Sequence, residues 1–398
     1  MNLETTLSFT EIAASEDQFQ IATYKKMPIA AERGDGVWIY TSDGEKYLDL
    51  YGGHAVAGTG HCHPHIVKAL REQSEKLLFY SNLVYSETRA RASEKLVSIA
   101  PAELTKAFFC NSGTEANENA MRMARMFTGR PNIVTFTGGF HGRTADAISA
   151  TFLGKYRKIG EPNVPGHIEA EFGNIESVRA VTDDTVAAIM LEPIQSMAGV
   201  RMAEPSFYRA LRELCDERGA VLIYDEVQTG VGRTGDWLFA GSAAGDRVVP
   251  DVVSLAKALG SGVPVGACLV TEAIASKIKE NDLGTTFGGG MLAMACVTAT
   301  LEAIENDQML SNVIAVEEHL RERLKEVEQV VAVHGKGFLL GLEFADKAAP
   351  IHRALLERKI ITGTSSDAKV LRLLPPLCLS IDQVDMFVDA LRLAVAEL

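Results

Sequence analysis

Cysteines are few in this chain, and their spacing differs from that of a disulfide-stabilised secreted protein. The 398 residues contain six cysteines, and no two of them form a CxxC pair. A small secreted domain that depends on disulfides is shorter and much richer in cysteine. We therefore expect reduced thiols that are mostly buried.

Long apolar runs and an excess of positive charge are also missing. No apolar stretch reaches membrane-spanning length, and residues 1–17 include glutamates and lack the basic-then-apolar pattern of a signal peptide. The formal net charge of −13 argues against nucleic-acid binding, because neutralising phosphates needs a basic face. We expect a cytoplasmic protein that binds neither membranes nor nucleic acid, although a few local arginines could still bind anionic substrates.

The chain does contain enough apolar sequence for a large core and, by its length, for two or three domains. From about Pro64 onward, short apolar runs alternate with amphipathic stretches such as Thr114–Phe127 and Pro205–Arg218. Several runs are continuously apolar, as in strands covered on both faces. This alternation predicts an α/β fold with a mainly parallel sheet covered by helices. The predicted strands are Lys106–Cys110, Ile133–Phe136, Ala187–Leu191, Val221–Tyr224, Val252–Ala256 and Ala267–Val270.

After Met291 the pattern changes to that of a smaller α+β unit. Its predicted elements are helices over Met291–Asn306, Val313–Val327 and Ala349–Lys359 and from Ile381 onward, with one short Gly-rich strand over Gly335–Phe344. Near the N-terminus, Val37–Leu50 has the pattern of a hairpin around Ser42-Asp43-Gly44. We predict a large domain over residues 51–284, a small domain over residues 285–398, and an N-terminal segment, residues 1–50, that joins the small domain.

Ligands of open α/β sheets bind at the carboxyl ends of the strands, so residues that follow strands are candidates for a site. Asn111–Glu115, with the sequence NSGTE, follows one strand and opens a helix, where backbone N–H groups can face a phosphate. An ordinary N-cap has the same pattern. Phe140–Arg143, with the sequence FHGR, follows the next strand. Its aromatic ring could stack on a flat cofactor and its arginine could bind a carboxylate; core packing and a surface arginine are the alternatives.

Two charged residues end segments that should be interior. Asp225 closes the run Val221–Tyr224, and a buried carboxylate needs a cationic partner, such as a protonated pyridine nitrogen or Arg233. Lys257 ends the run Val252–Ala256, where burial would lower its pKa and leave a nucleophilic amine suited to imine formation. A lysine that extends its head to solvent is the alternative.

Taken together, these motifs resemble those of the class III (ω-type) aminotransferases of fold type I, and most closely the acetylornithine and ornithine aminotransferases. The similar segments span nearly the whole chain and are Gly60–Pro64, Asn111–Glu118, Phe140–Thr144, Glu192–Gln195, Asp225–Gly230, Gly232–Gly235, Leu255–Lys257, Thr285–Gly289 and Leu371–Leu377. The resemblance implies a homodimer that moves an amino group from an amino acid, with N-acetylornithine or ornithine favoured, to a 2-oxo acid such as 2-oxoglutarate. The reaction would follow a ping-pong cycle.

By this resemblance the cofactor would be pyridoxal 5'-phosphate, bound as an imine to Lys257, which would also shuttle the proton. Asp225 would pair with the pyridine nitrogen and Gln228 with the ring hydroxyl, while Val227 would pack under the ring opposite Phe140. The remaining cofactor-binding residues would be Ser112, Gly113 and Thr114 at the phosphate, Thr286 at the phosphate of the neighbouring subunit, and His141 and Glu192, with Glu192 near Gln228. Because Thr286 crosses to the partner, the two subunits would share their active sites.

For the substrate, the resemblance implies carboxylate receptors at Arg143 and Arg372 and a pocket-facing His54, where close relatives commonly have isoleucine or tyrosine. The chain departs from the family at Ser196-Met197, where Gly-Glu is usual, and at Gly290-Met291, where many relatives have Asn-Pro. In many relatives that glutamate pairs with the arginine corresponding to Arg372, and Met197 cannot. Unless another residue neutralises the positive charge of Arg372, we expect the enzyme to favour substrates that place a carboxylate on it.

Two other functions stay open. A racemase, epimerase or aminomutase could use the same cofactor, and the detection of a keto product would distinguish it. A nucleotide-binding α/β protein could hold a dinucleotide in its Gly-rich turns, but no G-x-G-x-x-G follows the early strands. His61, His63 and His65 alternate like metal ligands. The family has the same turn without a metal, so we expect no metal site.

Overall fold

The computed structural model describes residues 7–397. In chain order its strands are β1 (Ala31–Asp35), β2 (Trp38–Thr41), β3 (Lys46–Asp49), β4 (Leu104–Cys110), β5 (Asn132–Phe136), β6 (His167–Ala170), β7 (Val186–Leu191), β8 (Ile194–Gln195), β9 (Arg201–Met202), β10 (Val221–Asp225), β11 (Val252–Leu255), β12 (Gly266–Thr271), β13 (Val330–Lys336), β14 (Leu339–Phe344), β15 (Ile360–Ile361), β16 (Gly363–Thr364) and β17 (Val370–Leu373).

Its helices are α1 (Phe9–Phe19), α2 (Gly52–Ala55), α3 (Pro64–Lys76), α4 (Glu87–Ser98), α5 (Gly113–Thr128), α6 (Ala145–Ser149), α7 (Gly154–Ile159), α8 (Ile175–Val181), α9 (Pro205–Arg218), α10 (Glu272–Ala275), α11 (Met291–Asn306), α12 (Met309–Leu324), α13 (Ala349–Glu357) and α14 (Ile381–Ala396). Short 3₁₀ helices lie at Ala243–Gly245 and Lys257–Gly260, on either side of β11. No helix within residues 7–397 combines the length and the apolar character that crossing a bilayer needs.

The largest sheet has seven strands in the order β4-β12-β11-β10-β7-β5-β6. Strand β12 is antiparallel to both of its neighbours, and the remaining neighbouring pairs are parallel. The predicted mainly parallel α/β sheet is therefore confirmed, and the six strands predicted from the sequence correspond closely to β4, β5, β7, β10, β11 and β12. The prediction missed β6, an edge strand whose residues are mostly only partly buried.

Helices cover both faces of this sheet, which explains why its central strands are apolar throughout. In β10, Leu222 and Tyr224 belong to the core cluster that includes α9, whereas Val221 and Ile223 belong to the cluster that includes α5. Alternate residues of a strand point to opposite faces, so each face of β10 has its own helix. Because both faces are covered, polar side chains can lie together at the carboxyl edge of the sheet.

The C-terminal strands form a separate antiparallel sheet in the order β13-β14-β17-β16. The single strand predicted over Gly335–Phe344 is wrong, because two antiparallel strands occupy Val330–Phe344. The positive φ of Gly337 (61°) permits the turn between them, and Gly335, still paired within β13, also has a positive φ (87°). Helix α12 also begins earlier than predicted, since Met309 already belongs to its buried apolar face.

The N-terminal hairpin is confirmed, with β2 and β3 paired antiparallel. Strand β3 also pairs in parallel with β15, so the N-terminal strands form one sheet with a strand from the C-terminal part of the chain. Helix α11, which follows residue 285, packs mainly on α3 and α4, which precede that residue. The division into residues 1–50, 51–284 and 285–398 stays a prediction.

Gly335, near the end of β13, allows the stability of this hairpin to be tested. A Cβ atom at Gly335 would lie 2.0 Å from the Leu339 carbonyl oxygen, in addition to the strain of a positive φ. Gly44 has a similar φ of +85° but no heavy atom within 4 Å of the added Cβ, so Gly44→Ala is a matched control. We expect Gly44→Ala to lower the free energy of unfolding by about 1 kcal/mol and Gly335→Ala by clearly more. Thermal denaturation followed by circular dichroism measures both, and equal effects would contradict the steric argument.

Candidate active site

A cavity of about 770 Å³ opens at the carboxyl edge of the seven-stranded sheet. Parallel strands end at the same edge, so the segments that follow β4, β5, β7, β10 and β11 meet there. The predicted site residues that line it are Ser112, Gly113, Thr114, Phe140, His141, Glu192, Asp225, Val227, Gln228, Lys257, Arg143, Arg372 and His54. Thr286 is exposed and does not line the cavity of its own chain.

The N-terminus of α5 forms one end of the cavity. Ser112 is the N-cap, and its hydroxyl accepts a hydrogen bond from the backbone N–H of Glu115 at 3.3 Å. A Cβ atom at Gly113 would lie 2.7 Å from a methyl group of Val227, so the backbone and this valine approach as closely as a glycine permits. Ser112 thus caps the helix, and the same first turn directs its positive dipole end towards the cavity.

Asp225 lies at the end of β10 and is only 3% exposed. Its Oδ2 accepts a hydrogen bond from the Asn117 side-chain amide at 2.7 Å and lies 2.8 Å from Nδ1 of His141. Its Oδ1 accepts a hydrogen bond from the backbone N–H of Val227 at 3.1 Å. The alternative partner considered from the sequence, Arg233, donates to backbone carbonyl oxygens instead, so a pairing of Asp225 with Arg233 is wrong.

Lys257 begins a 3₁₀ helix with a φ of +45°, a left-handed value that is strained for a lysine. Desolvation in the cavity lowers the pKa of its amine, and the nearby carboxylates of Asp225 and Glu192 oppose that shift. A lowered pKa increases the fraction of neutral, nucleophilic amine.

Glu192 follows β7 and is also buried. Its carboxylate accepts a hydrogen bond from the backbone N–H of Phe140 at 2.8 Å. Burial raises the pKa of Glu192, and the negative charge of Asp225 raises it further. This carboxyl group therefore fixes the loop that carries Phe140. The aromatic ring of Phe140 in turn packs edge-on against Tyr156, with a centroid distance of 5.3 Å.

Arg143 and Arg372 bring positive charge to the cavity in different ways. The Arg143 guanidinium is exposed and lies over the ring of Tyr156 at 4.9 Å. Arg372 is 3% exposed, and its guanidinium donates to the Tyr51 hydroxyl at 2.7 Å, the Ser196 hydroxyl at 2.9 Å and the Thr364 carbonyl at 2.7 Å. These acceptors are all uncharged. Met197 lines the cavity beside them.

His54 is held in the cavity by a strained turn. Helix α2 is a single turn in which all four residues, Gly52 to Ala55, have φ between 54° and 67°. Asp49 supports its start, because its carboxylate accepts hydrogen bonds from the backbone N–H groups of Tyr51 and Gly52. The rings of His54 and Tyr51 are 4.8 Å apart. A left-handed conformation of a non-glycine residue is costly, and such strain is concentrated at functional sites.

The alternating histidines each pair with a different carboxylate. His61 lies 2.8 Å from Asp49, His63 lies 2.9 Å from Asp307, and His65 lies 2.7 Å from Glu302. The three imidazoles therefore have separate structural partners.

Sequence reasoning missed several residues of the site. Asn117 lies inside the motif quoted from α5, and its position one turn after Gly113 was the signal that could have indicated it. Tyr51 and Thr364 were not indicated, and Ser196 was noted only as a departure from the family. Tyr51 and Ser196 contact Arg372 across 321 and 176 positions, and no local pattern indicates such contacts.

The comparisons with known proteins agree with this geometry. Residues 19–395 match the sequence model of the aminotransferase class-III family. The chain is 43% identical to an acetylornithine aminotransferase of Archaeoglobus fulgidus over 94% of this chain and 97% of the relative. It is 41% identical to an acetylornithine aminotransferase of Methanopyrus kandleri over the same shares of the two chains.

Solved structures show the same fold. An acetylornithine aminotransferase from Elizabethkingia anophelis superposes with a TM-score of 0.85 and 26% identity, covering 99% of this chain and 100% of that one. An ornithine aminotransferase from Toxoplasma gondii superposes with a TM-score of 0.91 and 25% identity, covering 99% and 96%. Because the family model spans residues 19–395 and relatives at 43% and 41% identity align with 94% of the chain, the chain belongs to the class III aminotransferases and is a pyridoxal-phosphate-dependent enzyme.

Proposed function

We propose that this enzyme transfers the terminal amino group of N-acetylornithine or ornithine to a 2-oxo acid, with 2-oxoglutarate as the favoured acceptor, in a ping-pong cycle. The names of the relatives at 37–43% identity support this donor class. The observation that carries the proposal is the cavity itself, where Lys257 and Asp225 lie together with two arginines that can bind carboxylates.

The residues of the cavity fit pyridoxal phosphate. Oε1 of Gln228 is buried and has no hydrogen-bond partner in the described part of the chain, which leaves it free for a ring substituent. The N-terminus of α5 offers an anion site, and the close approach of Gly113 to Val227 sets the floor of a flat space. The Lys257 amine lies in the same cavity, where an aldehyde could reach it.

Each residue then has a defined task. Ser112, Gly113 and Thr114 hold the phosphate, Phe140 and Val227 enclose the ring, and Gln228 binds its hydroxyl group; His141 supports Asp225, and Glu192 fixes the loop of Phe140. When bound, the cofactor supplies an electron sink for the proton loss that transamination requires. Asp225 keeps the ring nitrogen protonated with its negative charge. The Lys257 amine takes the proton from the substrate carbon that bears the amino group.

Arg372 receives a carboxylate that lies close to the reacting carbon, and Arg143 receives one that lies further out. The guanidinium of Arg372 uses three of its five N–H groups on uncharged oxygens, so two remain for a bidentate carboxylate. Because Met197 carries no charge, nothing at that position competes with the substrate. His54 lies next to Tyr51 and completes this side of the pocket.

The active enzyme is a homodimer whose subunits share their sites. Large apolar side chains are exposed along the segment 77–85, where Leu83 is 90% and Tyr85 106% exposed, and at Phe287, which is 65% exposed. The rings of Phe79 and Phe287 lie 5.2 Å apart, so these residues form one surface beside Thr286. A contiguous apolar surface of this kind needs a partner. A second copy would cover it and bring Thr286 to the phosphate end of the neighbouring cavity.

The reaction and its lysine can be tested together. With 2-oxoglutarate as acceptor, N-acetylornithine or ornithine should yield glutamate and a carbonyl product, and pyruvate should be a poorer acceptor. Lys257→Ala should lose turnover but keep the cofactor through its other contacts. Borohydride reduction followed by peptide mapping should place the cofactor on the peptide with residue 257, also in the control Lys155→Ala, which changes another lysine of the cavity. A label on Lys155 or Lys25, or interconversion of stereoisomers without a keto product, would contradict the proposal.

If Arg372 binds a substrate carboxylate, a negative charge at Met197 should change the substrate preference. A glutamate at this position would pair with Arg372 and mask it while a terminal amine reacts. A hydrogen bond to a charged group contributes about 1.5–3 kcal/mol. We therefore expect Met197→Glu to shift the ratio of specificity constants from glutamate towards the terminal amine by about fivefold or more. Single-turnover half-reactions measure the ratio, and Met197→Gln is the uncharged control. A ratio that is unchanged, or that moves towards glutamate, would show that Met197 only fills space.

The shared site makes a prediction for the exposed apolar surface. Leu83→Asp should weaken dimerisation and release cofactor in parallel, because binding and assembly are linked. Leu393 is 60% exposed on α14, so Leu393→Asp is a control of the same chemistry outside the proposed interface. Sedimentation velocity and the cofactor content of each species measure the two effects. A monomer that retains full activity and cofactor would refute the shared site.

A further inference from the structure

The side chain of Asn117 joins four elements of the active site. It extends from α5 and is 2% exposed. Its Nδ2 donates to Oδ2 of Asp225 at 2.7 Å and to the backbone carbonyl oxygen of His141 at 2.7 Å. Its Oδ1 accepts a hydrogen bond from the hydroxyl of Ser254 on β11 at 2.5 Å. The amide therefore contacts the end of β10, the loop after β5 and the strand that leads to Lys257.

The orientation of this amide is fixed by the chemistry of its neighbours. The two groups on its Nδ2 side, a carboxylate and a carbonyl, can only accept hydrogen bonds, and the hydroxyl of Ser254 can donate. The reversed amide would place its oxygen against both acceptors. Both N–H bonds and the oxygen of Asn117 are thus used, and aspartate or leucine of nearly the same shape could not make the same set.

These contacts determine which oxygen of Asp225 is available. Oδ2 already has Asn117 and Nδ1 of His141 as partners, while Oδ1 has the backbone N–H of Val227. A carboxylate oxygen accepts about two hydrogen bonds in its plane. Oδ1 is therefore the oxygen with a free position, and it is the one that can accept from the cofactor's ring nitrogen.

Ser254 supports the amide from the opposite side. It is fully buried and lies directly opposite Asp225 in the parallel pairing of β10 and β11. Its backbone carbonyl accepts the N–H of Glu226 at 3.0 Å, so the same residue also ties the two strand ends together. Asn117 itself lies one turn into the helix whose first residues form the phosphate end of the cavity.

We propose that Asn117, oriented by Ser254, is a positioning residue for transamination. It holds Asp225 at a fixed distance from the phosphate-binding end of α5 and directs Oδ1 towards the ring nitrogen. The inference deepens the proposed function, since it rests on Asp225 as the partner of that nitrogen.

A double-mutant cycle tests whether Asn117 acts through Asp225. Asn117→Leu removes all three hydrogen bonds with little change in volume, and we expect kcat to fall roughly 10- to 100-fold with a smaller change in KM. In an Asp225→Asn background the same substitution should change kcat by less than about twofold, because the interaction it supports is already lost. Titration of the apoprotein with pyridoxal phosphate, followed by fluorescence, should show the same non-additive pattern in cofactor affinity.

Asn119→Leu is the matched control, since Asn119 lies on the same helix and, in the part of the chain that the structure describes, its side chain bonds only to the Glu115 carbonyl within that helix. If Asn117→Leu does not fold, Ser254→Ala removes the orienting hydroxyl alone and should give the same non-additive pattern with a smaller factor. Equal losses in both backgrounds would overturn the proposal and assign Asn117 a purely structural role. If Asp225→Asn alone left turnover near normal, the proposed role of Asp225 would fail instead, which is a distinguishable result.

Discussion

Asp225 carries a carboxylate that is almost completely removed from water, and the groups around it are arranged to satisfy that charge. A buried carboxylate is costly unless donors and a cation compensate it. Asn117, His141 and the Val227 N–H supply the donors, and the ring nitrogen of the bound cofactor would supply the cation. These hydrogen bonds connect α5 and the loop after β5 to the end of β10.

The cavity separates two chemical tasks. Asp225 and Glu192 are buried and Lys257 is partly buried. Burial raises the pKa of Glu192 and lowers the pKa of Lys257, which suits proton transfer. Within residues 7–397, the Arg372 guanidinium has only uncharged hydrogen-bond partners, so its positive charge would be available to a substrate. Burial lowers the pKa of Lys257 and the positive charge of Arg372 lowers it further, so the two sides of the cavity are coupled electrostatically.

Backbone strain occurs in the lining of this cavity, whereas the exposed apolar surface lies outside the lining, beside Thr286. The left-handed turn of α2 places His54 and Tyr51 where a substrate would pass, and Asp49 holds that turn in place. The exposed side chains near Phe79 and Phe287 lie beside Thr286, the residue expected to reach the partner's site. Specificity and assembly would therefore both be decided by residues outside the central sheet.

Much of this organisation could be predicted from the sequence because it rests on local patterns. Continuous apolar runs indicated β4, β5, β7, β10, β11 and β12, since strands covered on both faces have no polar side. The residues following those runs indicated where Asp225 and Lys257 would meet, because parallel strands end at one edge. The sequence predicted one strand where the structure has a hairpin over Val330–Phe344. The prediction missed the hairpin because the glycines there were taken as part of a single Gly-rich strand.

The sequence by itself determined the fold class and the family and indicated most of the predicted residues that line the cavity, because each of these is carried by short motifs at strand ends. Only the tertiary structure decided the partners of Arg372, the pairing of β3 with β15, and the contacts of Asn117 with Asp225 and Ser254. Except for Thr364, which is 8 positions from Arg372, those contacts join residues more than a hundred positions apart, and packing in three dimensions, not local propensity, brings them together.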